Sequence, residues 1–459
     1  MRKIAIISPL VFVLNLPLFT GTHMYLPPIA TTTRAAYNNC HPDIPLQADD
    51  LRYVDLSTAR GNQNFVESLS EAIDWSQDVA PPYHQRLFTG HRGSGKTTEL
   101  FRLKKKLEQL GFLVLYLDVE QKLDLEDIEY TDLLLSMMTG LFEQAKAENL
   151  ALSEILLKAI HDWFYERTET ETQEKESDSE IMTQAGIGGM LPLVVDLFAS
   201  WTARVKVGSS HKVEIRKVLE RDLAVFNDRL NAVIREVRKQ AQVKGFRDLV
   251  IIADGLEKMP FKMRDGRSNH DLLFVENAER LKVPECHLIY TVPISLAYNA
   301  NLNSSFGGDY VAVIPMVKLS VENCALFQVL IEKRIDVNIV FESPKEVLEN
   351  LIAASGGAVR DLMRLIRIAC QGAKQVTTAD VERAKTTLMI EYDRLLREED
   401  FKILQEVYLN KEVAANDKYG RLLHWRVLHE YLNGKRWADV HPLVLRIERV
   451  QRLLNSKPS

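Results

Sequence analysis

Five apolar runs set the framework of this chain. Residues 112–119, 249–254, 287–292 and 310–314 are nearly continuous in apolar side chains, and residues 86–89 form a shorter run. A strand buried on both faces has no polar face to alternate with. Uninterrupted runs of this length therefore predict the strands of a parallel sheet covered on both sides. Between the runs, apolar positions return every three or four residues. That spacing predicts helices over 65–75 and 98–107, from about 127 to 165, as one long amphipathic helix over about 213–243, and repeatedly from 320 to about 408. Strands that alternate with helices build a parallel sheet, and its ligand sits at the carboxyl ends of the strands.

The pattern breaks in four places. Residues 1–20 carry Met1-Arg2-Lys3 and then an apolar run over 4–19, which has the look of a signal peptide or short anchor. Pro9, Asn15 and Pro17 interrupt that run, it is short for a membrane span, and Met24 offers a second start. An upstream start codon, a signal or anchor, and packed structure all remain open. Residues 166–180 are polar and acidic and predict a disordered loop. Residues 186–201 are apolar and glycine-bearing around Asp196, which suits either docking on a membrane or partner, or burial against neighbouring helices. Finally, strand-like runs over 422–431 and 436–440 flank Asn433-Gly434, a dipeptide that tolerates positive φ and predicts a hairpin.

Composition narrows the class. The chain has 459 residues, enough for two or three cores, with 46% hydrophobic and 26% charged residues, as in ordinary globular proteins. A formal net charge of −5 gives no general attraction to nucleic acid. Cys40, Cys286, Cys324 and Cys370 are scattered, with no C-x-x-C spacing, which fits reduced thiols better than a disulfide frame or zinc site.

The chemistry concentrates in Gly90-His91-Arg92-Gly93-Ser94-Gly95-Lys96-Thr97, followed by Thr98, between a predicted strand and a predicted helix. It fits G-x-x-x-x-G-K-[ST] throughout. Glycines let backbone N–H groups and a helix N-terminus face one anion. Lys96 can then reach the β- and γ-phosphates, and the Thr97 hydroxyl can ligate Mg²⁺. Asp254, ending an apolar run, is placed to complete the magnesium shell, and Glu257 to polarise the attacking water. Thr291, at the end of the next run, is a candidate for the γ-phosphate or the water. Arg360, in the first turn of a helix behind Gly356-Gly357, can bring a guanidinium to phosphate from a neighbouring domain. Each has a plainer alternative: a turn cap for Asp254, a helix-start carboxylate for Glu257, a strand terminus for Thr291, a surface ion pair for Arg360.

In order, these features resemble the AAA+ superfamily, in particular the branch of STAND signalling ATPases and Orc/Cdc6-like initiators, from about Arg60 to the C-terminus. Ala59-Arg60-Gly61 is similar to the arginine-glycine box that lies near base and ribose. The loop is similar to Walker A, and Asp254-Gly255-Leu256-Glu257 to the D-G-h-[DE] form of Walker B. Thr291 matches sensor 1, and 356–360 the sensor 2 region. Lys258 stands where many STAND proteins carry another acid, which implies slow hydrolysis. No convincing arginine finger stands out: Arg264 and Arg280 are candidates on position only, with a solvated surface charge the favoured reading of each, and no superstructure-forming repeats follow.

The resemblance implies an α/β fold: a parallel-sheet P-loop NTPase core, AAA+-like, over 46–316 with an insertion at about 140–245. A leader over 1–45 precedes it. A helical lid over 317–376 and a small winged-helix-like domain over 377–459 follow. The expected cofactors are ATP and Mg²⁺, and the expected place is the cytoplasm, where ATP is. The leading function is a slowly hydrolysing, nucleotide-dependent switch that self-associates and governs a protein effector or sensor, in a microbial stress or antiphage setting. The alternative is a DNA-binding initiator or regulator that uses Arg421, His424, Arg426, Lys435 and Arg436, interleaved with Trp425 and Trp437. A membrane-anchored ATPase using residues 4–19 is the least favoured reading.

Overall fold

The computed structural model describes residues 27–76, 83–168, 189–208, 210–264, 266–298, 302, 306, 311–413, 417–433 and 435–455. The apolar run over 4–19, Met24 and Gly434 lie outside the described residues, as does the acidic stretch from residue 169 onward.

All five runs are strands of one parallel sheet. They are β1 (Gln85–Gly90), β2 (Leu113–Asp118), β3 (Leu249–Asp254), β4 (His287–Thr291) and β5 (Ala312–Ile314), in the order β2-β3-β4-β1-β5. Every residue of β3 and β4 is buried. Successive side chains point to opposite faces. Val250, Ile252 and Ile289 meet Leu100, Leu103 and Leu107 of the helix Lys96–Gln109 on one face. Leu249, Ile251 and Leu288 meet the helical insertion on the other. The molecule is thus a mostly helical α/β protein, as its periodicity predicts.

The insertion forms helices Tyr130–Ala147, Glu154–Thr168, Met190–Val207, Ser210–Arg221 and Leu223–Val243. The long helix predicted over 213–243 is two helices, broken at Asp222, whose ψ of 31° leaves the helical region and whose carboxylate accepts from Arg167 Nε at 2.8 Å. The apolar stretch around Asp196, from residue 189 onward, is a helix that buries Val194, Phe198 and Trp201 against Phe142 and Phe164. Asp196 itself faces out. Among the described residues, no helix is long and apolar enough to cross a membrane.

After β5 the chain is helical: Val321–Glu332, Pro344–Ser355, Val359–Cys370, Thr378–Leu395, Asp400–Asn410 and Asp417–His424. An antiparallel hairpin, β6 (Leu428–Asn433) with β7 (Lys435–Val440), and a last helix, Glu448–Asn455, complete it. Residues 422–424, predicted as strand, are the last turn of a helix. Arg426 at φ 62° reverses the chain before β6 begins. One hydrophobic cluster runs through this whole C-terminal half, from Phe327 through Leu362 and Leu388 to Leu428 and Val450. It also takes in Ala30, Ala36 and Cys40. Residues 27–45, set aside above within a leader, therefore contribute a helix (Thr33–Asn39) and a bridge from Ala30 to Ile335.

Gly357 marks the tightest crossing. Its φ is +83°, and an added Cβ would lie 1.7 Å from the Val317 carbonyl oxygen, where the exit from β5 passes the start of the helix Val359–Cys370. Gly372 has a similar φ of +78° with open space around it. Gly357→Ala should therefore lower unfolding stability by at least about 3 kcal/mol, and Gly372→Ala by about 1–2 kcal/mol for the left-handed backbone alone. Denaturant titration of both variants measures the difference.

Candidate functional site

β1 delivers the chain into residues 91–95, and the helix that follows begins at Lys96. Around this loop lies a cavity of about 680 Å³, within the usual range for small-molecule sites. Its walls include the loop and the β3 end (Lys96, Thr97, Asp254, Glu257), the β2 end (Asp118, Glu120), the segment 41–54, Leu330 and Arg334, and the helix start bearing Arg360.

Lys96 is buried, and its ammonium donates to the Gly90 and His91 carbonyls at 3.0 Å each, with Glu257 Oε1 at 3.6 Å. Burial lowers its pKa, opposed by the charges of Glu257 and Asp254. The Thr97 hydroxyl donates to Asp254 Oδ2 at 2.8 Å, and the Tyr116 hydroxyl donates to the same oxygen at 2.6 Å. Burial and the neighbouring Glu257 push the Asp254 carboxyl up to about 6. Glu257 moves the other way: burial opposes its charge, but Lys96 and a hydrogen bond from Thr291 outweigh that, so the carboxyl sits below its usual range. Among the described residues, the buried Glu257 Oε2 has no hydrogen-bond partner.

Thr291 lies outside the cavity wall. Its hydroxyl accepts from Gly255 N at 2.9 Å and Leu256 N at 3.1 Å, which holds the turn that carries Glu257. Arg60 is buried behind the loop, where its guanidinium donates to the Ser94 carbonyl and lies 3.6 Å from Glu99. Arg360 pairs with Asp43, and its methylenes lie so close to Gly93 that a Cβ there would meet Arg360 Cβ at 2.3 Å. The Thr98 hydroxyl accepts from Leu46 N at 3.2 Å. Arg92, Gly93, Ser94 and Gly95 line the cavity; Gly90 and His91 do not, and the His91 ring turns away into the C-terminal half.

Two contributors have little sequence signal. Tyr116 is legible only as a polar-tipped aromatic residue inside the β2 run. The segment 41–54 has no periodicity, and only residues 41–45 of it were set within the leader; Tyr53 donates to Glu99 at 3.2 Å, under the Arg102 guanidinium 3.9 Å from its ring. Lys258, at the position where the resemblance expected an acid, pairs with Glu120.

The basic C-terminal segment is mostly turned inward. Arg421 pairs with Asp400, Arg426 holds Asp361, His424 is buried, and Arg436 pairs with Glu430. Among the described residues one acid–imidazole group, Asp361, His429 and His441, is close enough to share a cation, its donor atoms lying within 4.8 Å. Its hydrogen bonds argue otherwise. His441 Nδ1 accepts from Leu443 N at 3.0 Å, which leaves the ring proton on Nε2, and Arg426 reaches both Asp361 oxygens at 3.3 and 3.4 Å.

No family model matches the chain, and no curated protein does. Among solved structures it is similar to the crystal structure of Cdc6p from Pyrobaculum aerophilum, with 12% identity and a TM-score of 0.35, over 87% of this chain and 98% of that one.

The turn at the β3 end yields a prediction that needs no ligand. Thr291→Val removes the hydroxyl that accepts the buried Leu256 N–H at 3.1 Å. It should cost about 1–3 kcal/mol of stability, whereas Thr291→Ser keeps the acceptor and should cost less than about 1 kcal/mol. Equal losses in thermal unfolding would show that the hydroxyl does not hold this turn.

Proposed function

We propose that this chain binds a magnesium nucleoside triphosphate, ATP, at the carboxyl edge of its sheet, hydrolyses it slowly, and acts as an AAA+-like nucleotide-dependent switch in the cytoplasm. One observation carries the reading. Lys96, Thr97, Asp254 and Glu257, far apart in sequence, converge on one cavity behind a glycine-rich strand–loop–helix. The choice of adenine and the switch role rest on the sequence resemblance.

The residues fit such a ligand. The hydroxyl of Thr97 and the carboxylate of Asp254 are hard oxygen donors of the kind magnesium takes, and they already adjoin at 2.8 Å. The unpartnered Glu257 Oε2 suits a water held beside the phosphates. Bound magnesium supplies neutralisation of phosphate charge. This chain's own groups do the rest. Loop N–H groups and Lys96 hold the phosphates, and Tyr116 fixes the Asp254 carboxylate. Glu257, kept ionised by Lys96, accepts the proton of the attacking water. Thr291 keeps Glu257 in place through the turn it bonds. Arg360 brings the helical region to the cavity, so what the cavity holds acts on where that region docks. Lys258, bound to Glu120, adds no second acid, in keeping with slow turnover.

Lys96→Ala should weaken ATP binding at least about a hundredfold, read by calorimetry, because it leaves Glu257 buried without its cation. Glu257→Gln should keep binding and lose turnover by about a hundredfold or more; unchanged turnover would remove Glu257 as the base. For the switch, the measured mass by light scattering should differ between ADP and a slowly hydrolysed ATP analogue, and one mass in all states would sink that part of the reading.

The raised Asp254 pKa sets a pH dependence. A cation needs the carboxylate, so protons compete below about 6. Affinity for Mg²⁺–ATP should climb about tenfold per pH unit up to that point and then level off. Asp254→Asn should flatten the climb to the part that the nucleotide's own terminal phosphate contributes.

A further inference from the structure

His91 occupies a variable position of the phosphate loop, yet it is completely buried and uses both ring nitrogens far away in sequence. Its Nδ1 lies 3.1 Å from the Leu423 carbonyl oxygen, and its Nε2 accepts from the Glu430 backbone N–H at 2.8 Å. Since Nε2 is an acceptor, the ring proton is on Nδ1 and donates to Leu423. Burial holds the imidazole neutral, with its pKa pushed down to about 3, so this donor–acceptor pattern persists at physiological pH. Leu423 lies in the last turn of the helix Asp417–His424, and Glu430 lies in β6. The Glu430 carbonyl in turn accepts from Met316 N at 2.8 Å, just beyond β5.

The backbone of the same residue faces the opposite way. The His91 carbonyl accepts from Lys96 Nζ at 3.0 Å. One residue therefore joins the ammonium at the phosphate loop to the first strand of the C-terminal hairpin, through two bonds on the ring side and a carbonyl that accepts from both Lys96 Nζ and Ser94 N at 3.0 Å on the backbone side. A phosphate that draws Lys96 away from this carbonyl leaves it to the Ser94 N–H alone, and so changes how the loop backbone is held at the point where its side chain is fixed to the hairpin. We propose that His91 is a positioning residue that clamps the phosphate loop to the C-terminal helix–hairpin unit, so that occupation of the loop sets how firmly that unit docks. The inference rests on the reading that residues 90–97 hold phosphate. By linkage, the docked unit must bias loop affinity by the same factor as the loop biases docking.

The test is hydrogen exchange on the full chain, read in peptides covering 90–97 and 428–433, with and without Mg²⁺–ATPγS. His91→Phe keeps a planar ring but can neither donate to Leu423 nor accept from Glu430. His91→Gln offers one donor and one acceptor on a neutral side chain. Without nucleotide, His91→Phe should speed exchange over 428–433 by about tenfold or more and His91→Gln by less than about threefold. Unchanged exchange in His91→Phe, or no rescue by His91→Gln, overturns the clamp. With Mg²⁺–ATPγS, wild-type exchange over 428–433 should shift and that of nucleotide-bound His91→Phe should not. A shift of equal size in both overturns the coupling and leaves His91 a packing residue. If wild type binds no ATPγS by calorimetry, the phosphate-loop reading fails, and the clamp stands or falls on the nucleotide-free comparison.

Discussion

An ammonium removed from water loses several kcal/mol of hydration unless the protein replaces it, and the compensation of Lys96 organises this molecule. Its side chain is 2% exposed, and its partners are the Gly90 and His91 carbonyls and the Glu257 carboxylate. The loop must curl to present those carbonyls, and the turn after β3 must hold Glu257 within reach. The Lys96–Glu257 pair therefore ties β1 to β3 across the intervening β4. Thr291, at the end of β4, accepts the N–H groups of that turn, so the middle strand sets the position of the outer one's carboxylate. Two neighbouring carboxyls divide the labour by environment. Glu257, next to the cation, stays ionised; Asp254, buried against Glu257, is pushed up to about 6 and leans on Thr97 and Tyr116.

The cavity is closed from outside the sheet. Arg360 lies against Gly93 and pairs with Asp43, so the loop has on one flank a lysine compensated by its own backbone and on the other a guanidinium from the C-terminal half. A side chain at Gly93 would displace that arm, which makes this glycine a packing requirement as well as a conformational one. The hydrophobic cluster that unites residues 30–40 with the helices after β5 carries the segment 41–54 to the cavity mouth.

How much of this the sequence discloses follows from which forces are local. The five strands were legible because burial on both faces removes polar alternation, and that signal depends on nothing distant. The loop was legible because its chemistry demands fixed residue types at fixed spacing. Asp254 and Glu257 were placed by their position after a buried strand, and the structure brings both to Lys96 and Thr97. The misreadings fell where tertiary partners decide. Asp222 breaks a helix that periodicity alone continues, because Arg167 takes its carboxylate. Residues 422–424 look like strand but end a helix, since the reversal at Arg426 depends on its guanidinium reaching Asp361. The segment 41–54 has no period at all, and its place comes from cavity contacts that no local pattern encodes. Thr291 was aimed at phosphate from its strand-end position, but its hydroxyl is used by backbone N–H groups that the sequence does not display.

The junction between the C-terminal helix–hairpin unit and the rest shares the hydrophobic cluster of the C-terminal half and adds buried polar pairs to it. Asp361 is held by Arg426 and by Tyr392 at 2.7 Å; Tyr431 donates to the Gly356 carbonyl at 3.0 Å; His91 bonds Leu423 and Glu430. Such a junction differs from an apolar one in how it fails. Removing one partner strands the other in a low-dielectric interior at a cost of about 3–5 kcal/mol for a charge, whereas separating both sides returns every group to water. Partly open arrangements are therefore penalised more than a fully docked or a fully separated one. On the proposed reading that is the property a nucleotide-dependent switch needs. A small displacement at Lys96 need not be amplified along the chain; it has only to shift the balance between two positions that the buried polar pairs already keep distinct.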